Sequence, residues 1–275
     1  MSSDTAKVDV RRPGEAGGTV TGDSVAQEVP VALVYNGISH AVMMATPADL
    51  EDFALGFSLT EDILAHPGEL YDLDVVTSDE GISVNLEIFT QRWVELKQRR
   101  RNLVGRTGCG LCGTESLAQA IRPIATVVAP QLQDAAIQSA VADLPRYQPL
   151  QASTGATHGA AWCSEQGEIL LVREDVGRHN ALDKLIGALR RQRENLDGGF
   201  VLVSSRASYE MVHKSCAVGI GALVAVSAPT SLAIEQARIA GQLLVGFARP
   251  GRHVIYHSPD VIAVSQVQQC LEQQR

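Results

Sequence analysis

The chain has no second close pair of cysteines, no His-x-Glu triplet, no membrane-length apolar run and no excess of positive charge. Each absence removes a class of function. A structural zinc normally takes four ligands, usually as two Cys-x-x-Cys pairs, so one pair is at most half of such a site. A net charge of −8 leaves no global basic field for non-specific nucleic-acid binding. Without an apolar run of spanning length, no helix is expected to cross a membrane. Five cysteines, an odd number, give no disulfide framework. Arg11-Arg12 is followed by Pro13 to Gly18 rather than by an apolar core, so the arginine pair is not read as a secretion signal. The expectation is a reducing, cytoplasmic setting. No segment repeats at a fixed period. The 275 residues, 45% of them hydrophobic, suffice for one large domain or two unequal ones.

What is present concentrates between Arg106 and Ser116. That run holds Cys109, Cys112 and three glycines beside an arginine. Glycine on both sides of a thiol gives a loop that can move or be approached closely. Thr114 is placed as a helix N-cap before an apolar-periodic run from Leu117 to Ile121. A helix dipole and Arg106 would favour thiolate over thiol, as a nucleophilic or sulfur-bearing cysteine requires. Three chemistries use such a pair: half of a zinc site, a dithiol redox couple, or a persulfide carrier. Cys163, Cys216 and Cys270 are isolated, and Cys163 and Cys216 are read as buried core.

Along the chain, residues 1–28 are rich in Ser, Thr, Gly, Asp and Pro and are expected to form a disordered arm. Residues 29–122 form an N-terminal part, β-rich and helical, that ends in the cysteine loop. Val29 to Val34 and Ala41 to Met44 flank Asn36-Gly37, a hairpin signal. Thr46-Pro47 is expected to open a helix lined by Leu50, Phe53, Ala54 and Phe57. Ile82, Val84, Leu86 and Ile88 alternate as in a half-buried strand. A hinge or boundary is placed between Pro123 and Pro149. Residues 123–275 then alternate apolar strands with helical patterns, the signature of an α/β fold with a largely parallel or mixed sheet.

Three polar constellations fall where strands of that part give way to helices or turns, the place where α/β folds gather ligands. Asp175, His179 and Asp183 are spaced by four and would share a helix face, setting a histidine between carboxylates. The alternative is a capping Asp175 with surface pairs elsewhere. Ser204, Ser205 and Arg206 precede a helix near Tyr209 and offer hydroxyls, a guanidinium and free N–H groups to an anion. Phe247, Ala248, Arg249, Pro250, Gly251 and Arg252 form a turn suited to stacking on a base and pairing with phosphate.

Cys109-Gly110-Leu111-Cys112-Gly113, the Asp175 to Lys184 run, Ser204-Ser205-Arg206 and the Phe247 to Arg252 turn occur in one order. Together they closely resemble the formate dehydrogenase accessory sulfurtransferase family, FdhD, over nearly everything after the arm. The resemblance implies a cytidine-deaminase-like α/β sandwich with a mixed sheet. It implies a sulfur carrier that takes sulfur from a cysteine desulfurase and passes it to a molybdenum bis-guanine-dinucleotide cofactor. The sulfurated cofactor would mature the catalytic subunit of formate dehydrogenase. It further implies a homodimer that binds a GDP-like nucleotide as a mimic of the cofactor, with no structural metal. Cys109 would bear the persulfide and Cys112 would assist or relay. Phe247 to Arg252 would line the cofactor site, and Ser204 to Arg206 would add contacts. No nucleic-acid or membrane partner is expected.

Two rivals stay in view. A zinc deaminase needs His/Cys-x-Glu ahead of Pro-Cys-x-x-Cys. Here Gly108 stands in the proline position, and Cys163-Ser164-Glu165 follows the pair instead of preceding it. A cofactor chaperone that handles no sulfur would tolerate Cys109→Ala, and a sulfur carrier would not.

Overall fold

The computed structural model describes residues 4–11, 20–101 and 121–259. The Cys109-x-x-Cys112 pair, the helix expected from Leu117 and Cys270 lie outside the described residues.

The N-terminal part is built on a four-stranded sheet. Strands β3 (Val29–Tyr35) and β4 (Ile38–Ala45) form the expected hairpin, with both turn residues, Asn36 and Gly37, at positive φ (44° and 82°). That conformation suits Asn-Gly and matches the right-handed strand twist. Strand β6 (Gly81–Ile88) pairs parallel to β3 and antiparallel to β5 (Leu70–Ser78), giving the order β4-β3-β6-β5. Ile82, Val84, Leu86 and Ile88 are all buried, as their alternation predicts.

Helix α1 (Leu50–Thr60) lies under this sheet, and α2 (Thr90–Arg101) follows β6 with Leu96 buried in the same core. Thr46-Pro47 does not open α1, contrary to expectation. The helix begins at Leu50 behind Asp49 in left-handed conformation (φ 53°). Thr46 is drawn elsewhere: its N–H donates to Asp175, its hydroxyl accepts from the Val176 N–H, and its carbonyl accepts from Lys184. Tertiary partners outcompete the local proline signal.

The arm expected to be disordered contains a hairpin. Strands β1 (Thr5–Arg11) and β2 (Val20–Ala26) pair antiparallel from Thr5–Ala26 to Arg11–Val20. Its side chains bury little, which is why composition argued against order. Strand pairing nevertheless satisfies the backbone donors and acceptors that composition does not weigh.

The C-terminal part is a six-stranded mixed sheet, ordered β12-β11-β10-β9-β7-β8. Its strands are β7 (His158–Cys163), β8 (Ile169–Asp175), β9 (Phe200–Val203), β10 (Ala222–Ala225), β11 (Leu243–Arg249) and β12 (Arg252–His257). β9, β10 and β11 are parallel; β7 and β12 run antiparallel to their neighbours. The parallel strands are apolar without alternation because both faces are covered. Ile137, Ala140 and Val141 of α3 (Asp134–Asp143) cover the face carrying Phe200, Leu202 and Val224. α5 (Arg178–Arg191), α6 (Tyr209–Ala217) and α7 (Ser231–Ala240) cover the face carrying Val201, Val203 and Leu223. A short helix, α4 (Pro149–Thr154), precedes β7.

The two sheets share one core. α1 crosses α5 at two glycines. A Cβ on Gly56 would stand 1.8 Å from the Asp183 carbonyl oxygen, and one on Gly187 would stand 1.8 Å from that of Asp52. The approach joins Phe53 and Phe57 to Leu182, Leu185 and Ile186 in a single cluster that also takes in Val31, Leu33 and Val84 of the first sheet. The mixed α/β architecture is as the sequence predicts.

Candidate functional site

The C-terminal edge of the parallel strands brings together the Ser204–Arg206 and Phe247–Arg252 motifs, which are far apart along the chain. Beyond β9, the Ser204 N–H donates to the Gly159 carbonyl (2.9 Å), while Ser204 Oγ accepts from the Gly159 N–H (2.9 Å). The Ser227 N–H donates to the Ser205 carbonyl (3.3 Å), and the Phe247 N–H donates to the Ser227 carbonyl (3.0 Å). These bonds continue the sheet past its strand ends. The Ser204–Arg206 turn and the Phe247–Arg252 turn therefore lie two strand positions apart, roughly 10 Å at ordinary strand spacing. Phe247 reaches its place at φ 49°, a left-handed conformation uncommon outside glycine, and its ring packs 6.5 Å from that of Tyr256. Arg206, Arg249 and Arg252 are exposed. Ala248, expected to line the site, is fully buried with its side chain in the core beneath the turn.

The charged run after β8 behaves differently from its spacing. Asp175 is the last residue of a strand, not a helical residue, so it does not share a face with His179 and Asp183. It is buried and accepts from the N–H groups of Thr46 and Gly177 and from the Asn180 amide, with Lys184 Nζ at 2.7 Å. Asp183 turns toward α1. It accepts from Thr60 Oγ1 (2.7 Å) and from Lys214 Nζ (2.9 Å), and Lys214 also donates to Glu61 (2.9 Å). Burial pushes the Asp183 carboxyl up, and the adjoining Lys214 ammonium works against that push. Lys214, though burial opposes its charge, is held above its usual range by Asp183 and Glu61.

His179 faces a carboxylate from a different helix. Its Nε2 lies 3.8 Å from Glu210, beyond hydrogen-bond reach, and is buried with no hydrogen-bond partner among the described residues. Burial, and then the Arg178 charge, bring its pKa down to about 4, so the ring is neutral at physiological pH. Burial also lowers Arg178, and Arg206 adds to that by repulsion. Two guanidiniums thus adjoin the Ser204–Ser208 turn, as suits an anion site. His158 is lowered by burial and then by Arg178.

Arg122, the second described residue after the cysteine segment, is tied to this region. Its N–H donates to the Tyr209 hydroxyl (2.9 Å) and its guanidinium to Glu61 (2.7 Å). Tyr209 is the first residue of α6, immediately after the Ser204–Ser208 turn. Arg122 is therefore held beside the Ser204–Ser208 turn. Nothing in the sequence near Arg122 signals this, because its partners lie 61 and 87 positions away.

Cys163 and Cys216 are buried free thiols, as expected, and burial raises both to about 12. They are inert as nucleophiles. No group of three or more His, Cys, Asp or Glu that could hold a metal occurs among the described residues. No helix among them is long and apolar enough to cross a membrane.

Comparison with known proteins places this geometry. The model of the FdhD/NarQ family matches residues 26–263. A Cupriavidus necator protein named sulfur carrier protein FdhD is 58% identical over 242 residues, 86% of this chain and 83% of that protein. A Bordetella petrii protein of the same name is 52% identical over 250 residues, 90% of each. A crystal structure described provisionally as a formate dehydrogenase accessory protein, from Desulfotalea psychrophila, superposes with a TM-score of 0.70. At 23% identity it covers 94% of this chain and 99% of that one, which establishes a common fold.

Proposed function

The chain belongs to the FdhD/NarQ family, and we propose that it is a sulfur carrier that accepts a sulfane sulfur on Cys109 and delivers it to a molybdenum bis-guanine-dinucleotide cofactor for formate dehydrogenase. The identity of more than 50% to proteins named sulfur carriers is the observation that carries this reading.

In the loading step, the Cys109 thiolate attacks the terminal sulfur of a persulfide on a cysteine desulfurase. A new S–S bond forms on Cys109, the donor S–S bond breaks, and the desulfurase cysteine leaves as a thiolate. Delivery to a metal as sulfide consumes two electrons. Cys112 supplies them by attacking Cys109 Sγ: a Cys109–Cys112 disulfide forms, the bond to the carried sulfur breaks, and that sulfur departs with the electron pair.

The cofactor is the substrate, and the C-terminal edge of the six-stranded sheet is its seat in this reading. Phe247 offers a ring for a guanine, and Arg249, Arg252 and Arg206 offer guanidiniums for the diphosphates. Anchorage of Arg122 to Tyr209 and Glu61 supports a cysteine segment that works beside this edge. The protein acts in the cytoplasm as a homodimer, with GDP serving as a mimic of the cofactor's nucleotide.

The deciding experiment is mass spectrometry of the intact protein and its peptides after incubation with a cysteine desulfurase and cysteine. The expected result is one added sulfur atom on the Cys109 peptide, removed by reductant and missing in Cys109→Ala. GDP binding without any gain of sulfur would replace the carrier reading with that of a cofactor chaperone.

A further inference from the structure

Among the described residues, the turn from Arg249 to Arg252 has one local restraint of its own, the pairing of those two residues across Pro250-Gly251. Its position is fixed instead from α3, on the opposite face of the sheet from α5 and α6. Gln138 Oε1 accepts the Gly251 N–H at 2.7 Å. A backbone N–H can only donate, so that atom of the carboxamide is the oxygen and its partner is the NH2. The Gln138 NH2 lies 2.9 Å from His253 Nδ1 and must donate to it. Nδ1 is then an acceptor, the ring proton resides on Nε2, and Nε2–H donates to Asp134 at 3.1 Å. Each group in the chain Asp134–His253–Gln138–Gly251 is oriented by the one before it, and no other assignment satisfies all three contacts.

We propose that Gln138 is a positioning residue for nucleotide recognition, its carboxamide set by the Nε2–H tautomer of His253 to hold the Gly251 turn in the shape that presents Arg249 and Arg252 to a guanosine diphosphate group. The proposal rests on the reading of that turn as the nucleotide seat. It has a consequence that simple packing lacks. A proton on Nδ1 would face the Gln138 NH2, and the contact would be lost. Flipping the carboxamide restores that contact at the expense of Gly251, whose N–H then meets an NH2.

The test uses the full chain, with GDP as the probe, and compares wild type, Gln138→Met and Gln138→Glu. Calorimetry gives affinity, and hydrogen exchange of the peptide containing Gly251 reports the turn without any ligand. Gln138→Met removes both bonds at similar volume, and is expected to weaken GDP about tenfold and speed exchange at Gly251. Gln138→Glu keeps an acceptor for Gly251. Its exchange at Gly251 is expected to stay closer to that of wild type than in Gln138→Met. Wild-type affinity and exchange in Gln138→Met, or exchange at Gly251 in Gln138→Glu as fast as in Gln138→Met, would overturn the proposal. Failure of wild type to bind GDP would instead remove the nucleotide reading of the turn, and exchange at Gly251 alone would then decide whether Gln138 holds it.

Discussion

Lys184 Nζ lies 2.7 Å from Asp175 Oδ2, and solvent reaches neither side chain. The pair binds the last residue of β8 to the second turn of α5. Through the Thr46 N–H and carbonyl it also binds the strand-to-helix junction of the N-terminal part. A buried pair of this kind is weak evidence for net stability, but removing one partner leaves the other charge uncompensated. Lys184→Met is expected to lower unfolding free energy by about 3 kcal/mol, read from the shift of a urea or thermal transition. Joint replacement of both residues by apolar ones of similar size should recover part of that loss.

A different kind of dependence holds where α1 crosses α5. Each Cβ added at Gly56 or Gly187 would meet a backbone carbonyl oxygen at 1.8 Å, and a backbone cannot turn aside as a side-chain tip can. Gly187→Ala should therefore cost at least about 3 kcal/mol by overpacking, although alanine is the better helix former by about 1 kcal/mol in isolation. A melting temperature equal to that of wild type would contradict this close approach.

Acid stability follows from Glu61. Burial alone would raise its carboxyl, but Lys214 and Arg122 bring it down to about 2. The folded pKa lies below the unfolded one, so the stabilisation is complete above the unfolded value, roughly 4.3, and disappears as pH falls toward 2. It amounts to about 2–3 kcal/mol. In Glu61→Gln, stability measured by denaturant titration should change less between roughly pH 5 and pH 2 than in wild type.

His179 provides an independent check on the site. With burial and Arg178 holding it down to about 4, its ring should remain neutral at pH values where an ordinary histidine is charged. An NMR titration should find its imidazole resonance unmoved from about pH 8 to pH 5, while an exposed histidine shifts across the same range. Arg178→Gln removes the like charge and should raise the midpoint.

If Cys112 supplies the electrons for release, the two cysteines separate by phenotype. Cys109→Ala should gain no sulfur from a desulfurase. Cys112→Ala should load normally yet release no sulfide and form no internal disulfide. Equal loss of loading in both variants would assign Cys112 to the first step instead.

Much of this protein follows from local sequence. The Asn36-Gly37 hairpin, the alternation from Ile82 to Ile88 and the apolar runs at Phe200–Val203 and Leu243–Phe247 are short-range signals, and each became the expected strand. The burial of Cys163 and Cys216 was equally legible from their apolar surroundings. Periodicity could not reveal which charges would meet. Asp175, His179 and Asp183 share a spacing of four, yet a strand end, Glu210 and Lys214 divide them among three environments. The junction of Arg122 with Glu61 and Tyr209, and the chain from Asp134 through His253 and Gln138 to Gly251, each join residues between 61 and 119 positions apart. Sequence sets which backbone conformations and apolar faces are available, because those depend on neighbours within a turn or a strand. Which polar groups are desolvated together, and so which of them carry a shifted pKa or a fixed tautomer, depends on how the sheets and helices pack. That was decided by the tertiary structure alone.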